Sequence, residues 1–106
     1  MGVQLTKKAD ALIGIIYKCY LERMKSGESE SISRDFGFDF YSKTSDLYSW
    51  DEDDYDDRLI ELSQNALIKK MVDGDFRITD NGLVYMENRF KNGIKDVIDF
   101  ISKFIP

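Results

Sequence analysis

The sequence predicts an α+β fold, and two observations in its second half carry this prediction. Between Tyr55 and Phe90, an apolar stripe at helical spacing precedes two β-prone runs, and a second helical stripe follows them. Asp73-Gly74 separates the β-prone runs, and Asp-Gly in this position is a strong β-hairpin signal. With a long N-terminal helix packed across it, this helix–hairpin–helix order is typical of a winged helix. A C-terminal amphipathic helix extends the predicted fold.

The first helix is expected to run from about Lys7 to Lys25, with Thr6 as its N-cap and Gly27 just past its end. Cys19 lies inside its apolar stripe, where a cysteine is more often an inert core residue than a nucleophile. The stripe consists of Leu12, Ile13, Ile16, Cys19, Tyr20 and Met24.

The next segment is expected to begin with a polar loop, Gly27–Ser31. Ile32 is then expected to start a short strand that pairs with the later hairpin, and Ser33–Gly37 to form one or two helical turns. From Phe38 to Trp50 the favoured prediction is a loop whose aromatic side chains cover the edge of the core. The alternative is an exposed aromatic patch for a partner. The role of residues 38–54 stays open.

The central helix is predicted from Tyr55, Leu59, Leu62 and Ala66, which share one helical face. Asn65 is expected to end it in the left-handed conformation, which its short polar side chain tolerates.

The hairpin is predicted to pair residues 67–72 with residues 75–78 through a two-residue type I′ turn at Asp73-Gly74. Thr79 is expected to cap the following helix. Gly82, in the first turn of that helix, lacks a Cβ where the helix would approach the sheet closely. Leu83, Met86 and Phe90 continue the apolar face of this helix.

The closing segment predicts a strongly amphipathic helix after the break at Asn92-Gly93. This helix either docks on the first helix or packs against a second protomer, which makes it a candidate homodimer helix. Its apolar face consists of Ile94, Val97, Ile98, Ile101, Phe104 and Ile105, with Phe100 beside it.

Composition narrows the function classes. The 106 residues fit one domain, residues 1–106. No run approaches the ~18 apolar residues of a membrane span, and no secretory signal is visible. A single cysteine agrees with a reducing cytoplasm. The absence of histidine removes the commonest general base. Without a phosphate-binding glycine loop or a catalytic triad, we expect no enzyme, no cofactor and no small-molecule substrate.

A dense acidic cluster opens the central helix. As an EF-hand it fails, because position 6 is Asp56 and position 12 is Leu62 instead of glycine and glutamate. We therefore expect solvated carboxylates at a helix N-terminus, which repel phosphates and could bind a basic protein. This predicted partner-binding face consists of Asp51, Glu52, Asp53, Asp54, Asp56 and Asp57.

The candidate nucleic-acid contacts are Lys69, Lys70 and Arg77 on the hairpin. Asp73 and Asp75 offset them locally, and the net charge of the chain is -5. This is a weak basic signal. The other available cations are Lys7, Lys8 and Arg34.

The second half of the chain resembles the YjcQ-like proteins, small proteins of Firmicutes and their phages. The resemblance is strongest over residues 53–101, and it implies a winged-helix fold with no known catalysis and no assigned cofactor. The opening helix is similar to those of other small phage proteins, whereas Phe38–Asp54 departs from the family pattern. The matching elements are Asp53–Asp57 with Leu59 and Leu62, the hairpin, Ile78–Tyr85 and Ile94–Ile101.

Two functions follow as hypotheses. The first is a non-enzymatic winged-helix regulatory module, phage- or prophage-associated, that binds DNA or a regulatory protein. The second is an acidic inhibitor that mimics nucleic acid and occupies a basic surface of a host or defence protein.

Overall fold

The computed structural model describes residues 3–104, which form helices around a small antiparallel sheet. A 3-10 turn at Ser45–Leu47 precedes α4. In chain order the elements are α1 (Lys7–Lys25), α2 (Glu30–Ser33), β1 (Asp35–Phe36), α3 (Phe40–Lys43), α4 (Glu52–Gln64), β2 (Ile68–Lys70), β3 (Phe76–Ile78), α5 (Asp80–Arg89) and α6 (Ile94–Ile101). The predicted α+β class is confirmed.

The sheet has the strand order β1-β3-β2, and both strand pairs are antiparallel. Phe76 in the central strand lies opposite Phe36 on one side and Lys70 on the other. The rings of Phe36 and Phe76 stack at 5.2 Å between centroids. Phe40 meets the ring of Phe76 edge-on at 5.5 Å. This aromatic cluster joins the sheet to α3.

The first helix has the predicted bounds, and Thr6 caps it by accepting a hydrogen bond from the Ala9 amide at 3.3 Å. Leu12, Ile13 and Ile16 are fully buried. Met24 is 39% exposed, so the predicted apolar stripe is not buried at its C-terminal end. Met24 lies in the last turn of the helix.

The predicted order of strand and helix before the aromatic segment is wrong. Ile32 lies in α2, because Ser29 caps a helix there by accepting from the Ile32 amide at 3.2 Å. The strand is Asp35–Phe36, inside the stretch predicted as helical. Ile32 is 61% exposed whereas Phe36 is buried at 2%. The strand forms where the apolar side chain reaches the core.

The segment from Phe38 to Trp50 folds into α3 and the 3-10 turn, and it divides between the two predicted alternatives. Phe40 and Leu47 belong to the core. Phe38 and Tyr48 are 74% and 69% exposed. Phe40 thus fits the prediction of a core-covering segment, whereas Phe38 and Tyr48 fit the alternative of exposed aromatic side chains.

The end of α4 differs from the prediction at two residues. Asn65 has φ −92°, and its side-chain amide donates to the carbonyl of Glu61 at 2.9 Å. The left-handed residue is Ala66, with φ 60°. Ala66 lies outside the helix and is exposed, so it is not part of the buried stripe. Tyr55, Leu59 and Leu62 are buried as predicted.

The hairpin turn has three residues, Val72–Gly74, rather than the predicted two. The Met71 amide donates to the carbonyl of Asp75 at 2.7 Å, and the Gly74 amide donates to the carbonyl of Met71 at 3.2 Å. Gly74 has φ +95°, but Asp73 does not have a positive φ, so the turn is not type I′. The Asp73 carboxylate instead accepts from the Asp75 amide at 3.0 Å.

The entry to α5 has the predicted cap. Thr79 Oγ1 accepts from the Gly82 amide at 3.0 Å and donates to the carbonyl of Ala66 at 2.6 Å. Gly82 is buried, and a Cβ there would overlap the Leu67 carbonyl oxygen and lie 2.8 Å from Ile78 Cγ1. The predicted close approach between helix and sheet is confirmed.

The closing helix docks on α1, the first of the two predicted arrangements. Val97 and Ile101 are buried, but Ile98 is 44% exposed, and its predicted burial is wrong. Phe100, predicted beside the stripe, packs on Phe90 at 5.4 Å between ring centroids. Ile94 and Phe104 are half-buried, and Ile105 lies outside the described residues.

Within residues 3–104, no helix combines the length and the apolar character needed to cross a membrane.

Candidate partner-binding surface

The acidic cluster occupies the N-cap and the first two turns of α4. Asp51 is the N-cap, and its carboxylate accepts from the amides of Asp53 at 2.9 Å and Asp54 at 3.2 Å. Local chemistry thus explains part of the cluster, because a capping carboxylate satisfies free N–H groups and complements the helix dipole.

The helical period divides the remaining carboxylates between two sides of α4. Asp54 turns toward α1, where Lys8 Nζ lies 2.8 Å from its Oδ2. The hydrogen bond from Lys8 holds the pKa of Asp54 below its ordinary value. Tyr55 is buried and packs on Tyr41 at 5.1 Å between ring centroids.

The other side of the helix is the exposed one. Glu52, Asp53, Asp56 and Asp57 lie at i, i+1, i+4 and i+5, which places them within a sector of roughly 140°. All four are exposed, and within residues 3–104 none of them forms a salt bridge. We call these four residues the acidic face.

A second set of contacts fixes α4 to the start of α1. Arg58 Nη1 lies 2.9 Å from Glu61 Oε1 and donates to Thr6 Oγ1 at 3.0 Å. The amide and the hydroxyl of Thr6 each donate to a Glu61 carboxylate oxygen at 2.8 Å. Arg58 is thereby held by internal partners and does not balance the acidic face.

The predicted nucleic-acid contacts lie on neighbouring strands of the hairpin, Lys69 and Lys70 on β2 and Arg77 on β3. Arg77 Nε is 3.5 Å from Asp35 Oδ1, across the β1–β3 pair. Lys69 lies opposite Arg77 on β2, and Lys70 is the next residue along the strand. Both lysines are exposed. Of these three cations, the arginine is already paired with a carboxylate.

The other predicted cations lie at the start of α1 and at the end of α2. Arg34 pairs with Asp80 at 2.9 Å and donates to the carbonyl of Ile78 at 3.1 Å. Lys7 is exposed at the start of α1, and Lys8 is held by Asp54. Two of these three cations, Arg34 and Lys8, are therefore engaged with carboxylates.

The candidate dimer helix retains little free apolar surface. Val97 and Ile101 are committed to the contact with α1, and Ile98 is the large apolar residue of α6 that stays exposed.

Cys19 has the environment of an unreactive thiol. It is half-buried on α1, and burial raises its pKa to about 11. Because the thiolate is the nucleophile, this shift suppresses its reactivity at neutral pH.

Two surface cavities of about 380 Å³ each were not predicted from the sequence. One lies between α1 and α3 beside Cys19, where Lys43 pairs with Asp39 at 2.7 Å. The other lies on the sheet beside Met71 and the Asp35–Arg77 pair. Both cavities are lined by a mixture of polar and apolar side chains, and each contains one ion pair. Across the described part of the chain, no three His, Cys, Asp or Glu side chains converge as a metal site would require.

Comparison with known proteins gives no relative: no protein-family model, no curated protein and no solved structure matches this chain.

Proposed function

We propose that this chain is a non-enzymatic winged-helix interaction module whose acidic face binds a basic surface of a regulatory protein. The resemblance to the YjcQ-like proteins, with a phage or prophage association and a cytoplasmic location, belongs to the same proposal.

The arrangement of elements supports the winged-helix part. The order is two helices (α1 and α2), the strand β1, the short helix α3 with a 3-10 turn, the longer helix α4 and the hairpin β2–β3. The first strand pairs with the last, in the order β1-β3-β2. In a winged helix the helix before the hairpin is the one that enters the major groove of DNA, and the hairpin is the wing. Here these elements are α4 and β2–β3.

The charge of α4 carries the choice of partner. In the position of a DNA-reading helix, the acidic face presents four carboxylates without a salt bridge in the described residues. Two cations beside the cluster, Lys8 and Arg58, are engaged with Asp54 and with Glu61. Phosphates would be repelled from this surface, whereas lysines and arginines of a protein would be attracted to it.

The acidic inhibitor is the second candidate, and the same observation favours it. Carboxylates spread along one helix face can compete with nucleic acid for a basic groove. The two functions differ in their effect on the partner. An inhibitor displaces nucleic acid from its partner, whereas a regulatory module binds a partner without displacing nucleic acid.

A charge-matched pair of variants tests the proposal. In the first variant, Asp53, Asp56 and Asp57 are changed to Asn. In the control, the exposed residues Glu28, Glu87 and Asp99 are changed to Gln, Gln and Asn, which alters the net charge equally. We expect a nuclease-resistant protein partner in pull-downs with the wild-type chain and the control, and its loss with the first variant. Salt should weaken this complex, since exposed charges are screened.

Direct DNA binding is the opposing outcome. Duplex DNA of mixed sequence, measured by fluorescence anisotropy, should bind poorly to the wild-type chain at physiological salt and better to the Asn variant. Tight, sequence-specific binding by the wild-type chain that is lost in the Asn variant would contradict the proposal. Competition between labelled DNA and this chain for the isolated partner distinguishes the inhibitor from the regulatory module.

A further inference from the structure

The chain contains two Asn-Gly pairs in contrasting surroundings. Asn81-Gly82 lies in the first turn of α5, and Asn92-Gly93 lies in the connection between α5 and α6. We propose that Asn92-Gly93 is a site of spontaneous deamidation and isoaspartate formation in the folded protein, while the fold protects Asn81-Gly82.

The reaction needs only the chain and water. The backbone nitrogen of the glycine attacks Cγ of the asparagine side chain, and a new C–N bond closes a five-membered succinimide. The C–N bond of the side-chain amide breaks, and its nitrogen leaves as ammonia with the proton from the backbone amide. Water then opens the ring at either carbonyl, giving aspartate or isoaspartate. Glycine permits the attack because no Cβ hinders rotation of its backbone.

Gly82 cannot make this rotation in the native state. Gly82 is buried, and a Cβ at this position would overlap the Leu67 carbonyl oxygen. The backbone of α5 therefore lies directly against the backbone of Leu67, just before β2. Its amide donates to the Oγ1 of Thr79, the cap of α5. Attack on Asn81 would require the loss of that cap and withdrawal of the helix from the sheet.

Gly93 has the opposite surroundings. No atom lies within 4 Å of the position that its Cβ would occupy, and Asn92 is exposed. The Gly93 amide donates to the carbonyl of Phe90 at 2.9 Å, and this bond must open before the nitrogen can attack. It closes a short surface turn, where local opening is far easier than in a buried helix.

The product would alter the attachment of α6. Isoaspartate adds one carbon to the backbone immediately before the helix. It also adds a negative charge at a residue whose amide donates to the Asp96 carboxylate at 3.3 Å. Both changes act on the start of a helix that Val97 and Ile101 hold on α1.

The test is incubation of the folded full-length protein at mildly alkaline pH, followed by proteolysis and mass spectrometry. The fragment with Asn92 should gain about 1 Da and separate into aspartate and isoaspartate forms. This gain should be at least about tenfold faster than at Asn81, because only Asn92 lies in a turn that opens locally. In concentrated urea the two rates should converge, since both pairs are then unfolded. Asn92→Ser should abolish the gain at that fragment.

Two results would overturn the proposal. One is an equal rate at the two asparagines in the folded protein. The other is an unmodified Asn92 in the folded protein when both asparagines react in urea.

The effect on α6 has its own test. The isoaspartate form should melt at a lower temperature than the N92D variant, which carries the charge without the extra backbone carbon. Equal melting temperatures would refute the effect on α6.

Discussion

The backbone of Gly82 lies directly against the carbonyl oxygen of Leu67, the residue before β2. Helix α5 therefore contacts this backbone without an intervening side chain. A Cβ on Gly82 would overlap that oxygen and lie 2.8 Å from Ile78 Cγ1. The Leu67 carbonyl also accepts from the Thr79 amide at 3.0 Å, so a shift in its position would disturb the cap of α5.

Gly82→Ala should therefore destabilise the fold by about 3 kcal/mol or more, because the clash is with backbone rather than with a flexible side chain. Urea unfolding monitored by circular dichroism measures the change. Gly14→Ala is the matched control within a helix, since its nearest neighbours are the side chains of Phe100 and Ile101 at 3.4 Å. A loss at Gly82 no greater than the loss at Gly14 would contradict the backbone contact.

Ala66 has a left-handed backbone conformation, with φ 60°. Ala66→Gly should stabilise the protein by about 0.5 kcal/mol, because relief of the Cβ clash exceeds the added entropy of the unfolded chain. Ala66→Val should have the opposite sign, since β-branching worsens the same clash. Thermal melts of both variants check the prediction. Equal effects of the two substitutions would mean that Ala66 is not left-handed.

Gly74 and Gly27 have nearly the same positive φ, +95° and +99°, but different neighbours. A Cβ on Gly74 would lie 3.1 Å from Phe38 Cβ, and a Cβ on Gly27 would meet nothing within 4 Å. Gly74→Val should cost ~1 kcal/mol or more and exceed the cost of Gly27→Val. The difference should shrink in a Phe38→Gly background, because that substitution removes the Cβ that a Gly74 side chain would meet. A difference unaffected by Phe38→Gly would remove the steric part of this explanation.

Val97 and Ile98 are adjacent in α6 but have different surroundings: the first is fully buried and the second is 44% exposed. Val97→Asp should unfold the protein or cost several kcal/mol, because it buries an unpaired carboxylate. Ile98→Asp should leave the melting temperature nearly unchanged.

Light scattering on the Ile98→Asp variant and the wild-type chain tests the homodimer. A dimer that is lost on this substitution would support it, and a wild-type monomer at high concentration would exclude it.

Cys19 should react slowly with iodoacetamide at neutral pH. Its pKa is raised from 9.0 to about 11, so its thiolate fraction should be about 100-fold below that of an unperturbed cysteine. Labelling should accelerate as the pH rises toward this pKa, and denaturation at constant pH should accelerate it too. Fast labelling of the folded protein at neutral pH would contradict the burial of the thiol.

The sequence by itself determined the elements whose signals are local. The first helix begins after Thr6 and the fifth after Thr79, because a threonine oxygen satisfies free amides wherever the following residues are helical. The close approach of α5 to the sheet is predicted at Gly82, because glycine alone lacks the Cβ that would hold the two backbones apart. The clustering of carboxylates at the start of α4 was equally legible in the sequence.

Only the tertiary structure decided features that depend on partners distant in the chain. Strand β1 lies at Phe36 because that ring stacks on Phe76, 40 positions away, at 5.2 Å. Likewise, Ile98 is exposed and Phe100 is packed because α6 meets α1 and Phe90 along one side of the helix. Helical periodicity identifies an apolar side, but the neighbours decide which of its residues are covered.

The acidic face required both kinds of information. The sequence contains its carboxylates, and the helical period places four of them on one side of α4. Only the fold shows that Lys8 neutralises Asp54 while Arg58 is held by Glu61 and Thr6. The Lys8–Asp54 salt bridge and the Arg58–Thr6 hydrogen bond join residues 46 and 52 positions apart. Both depend on how α1 and α4 pack, and no local pattern encodes that contact.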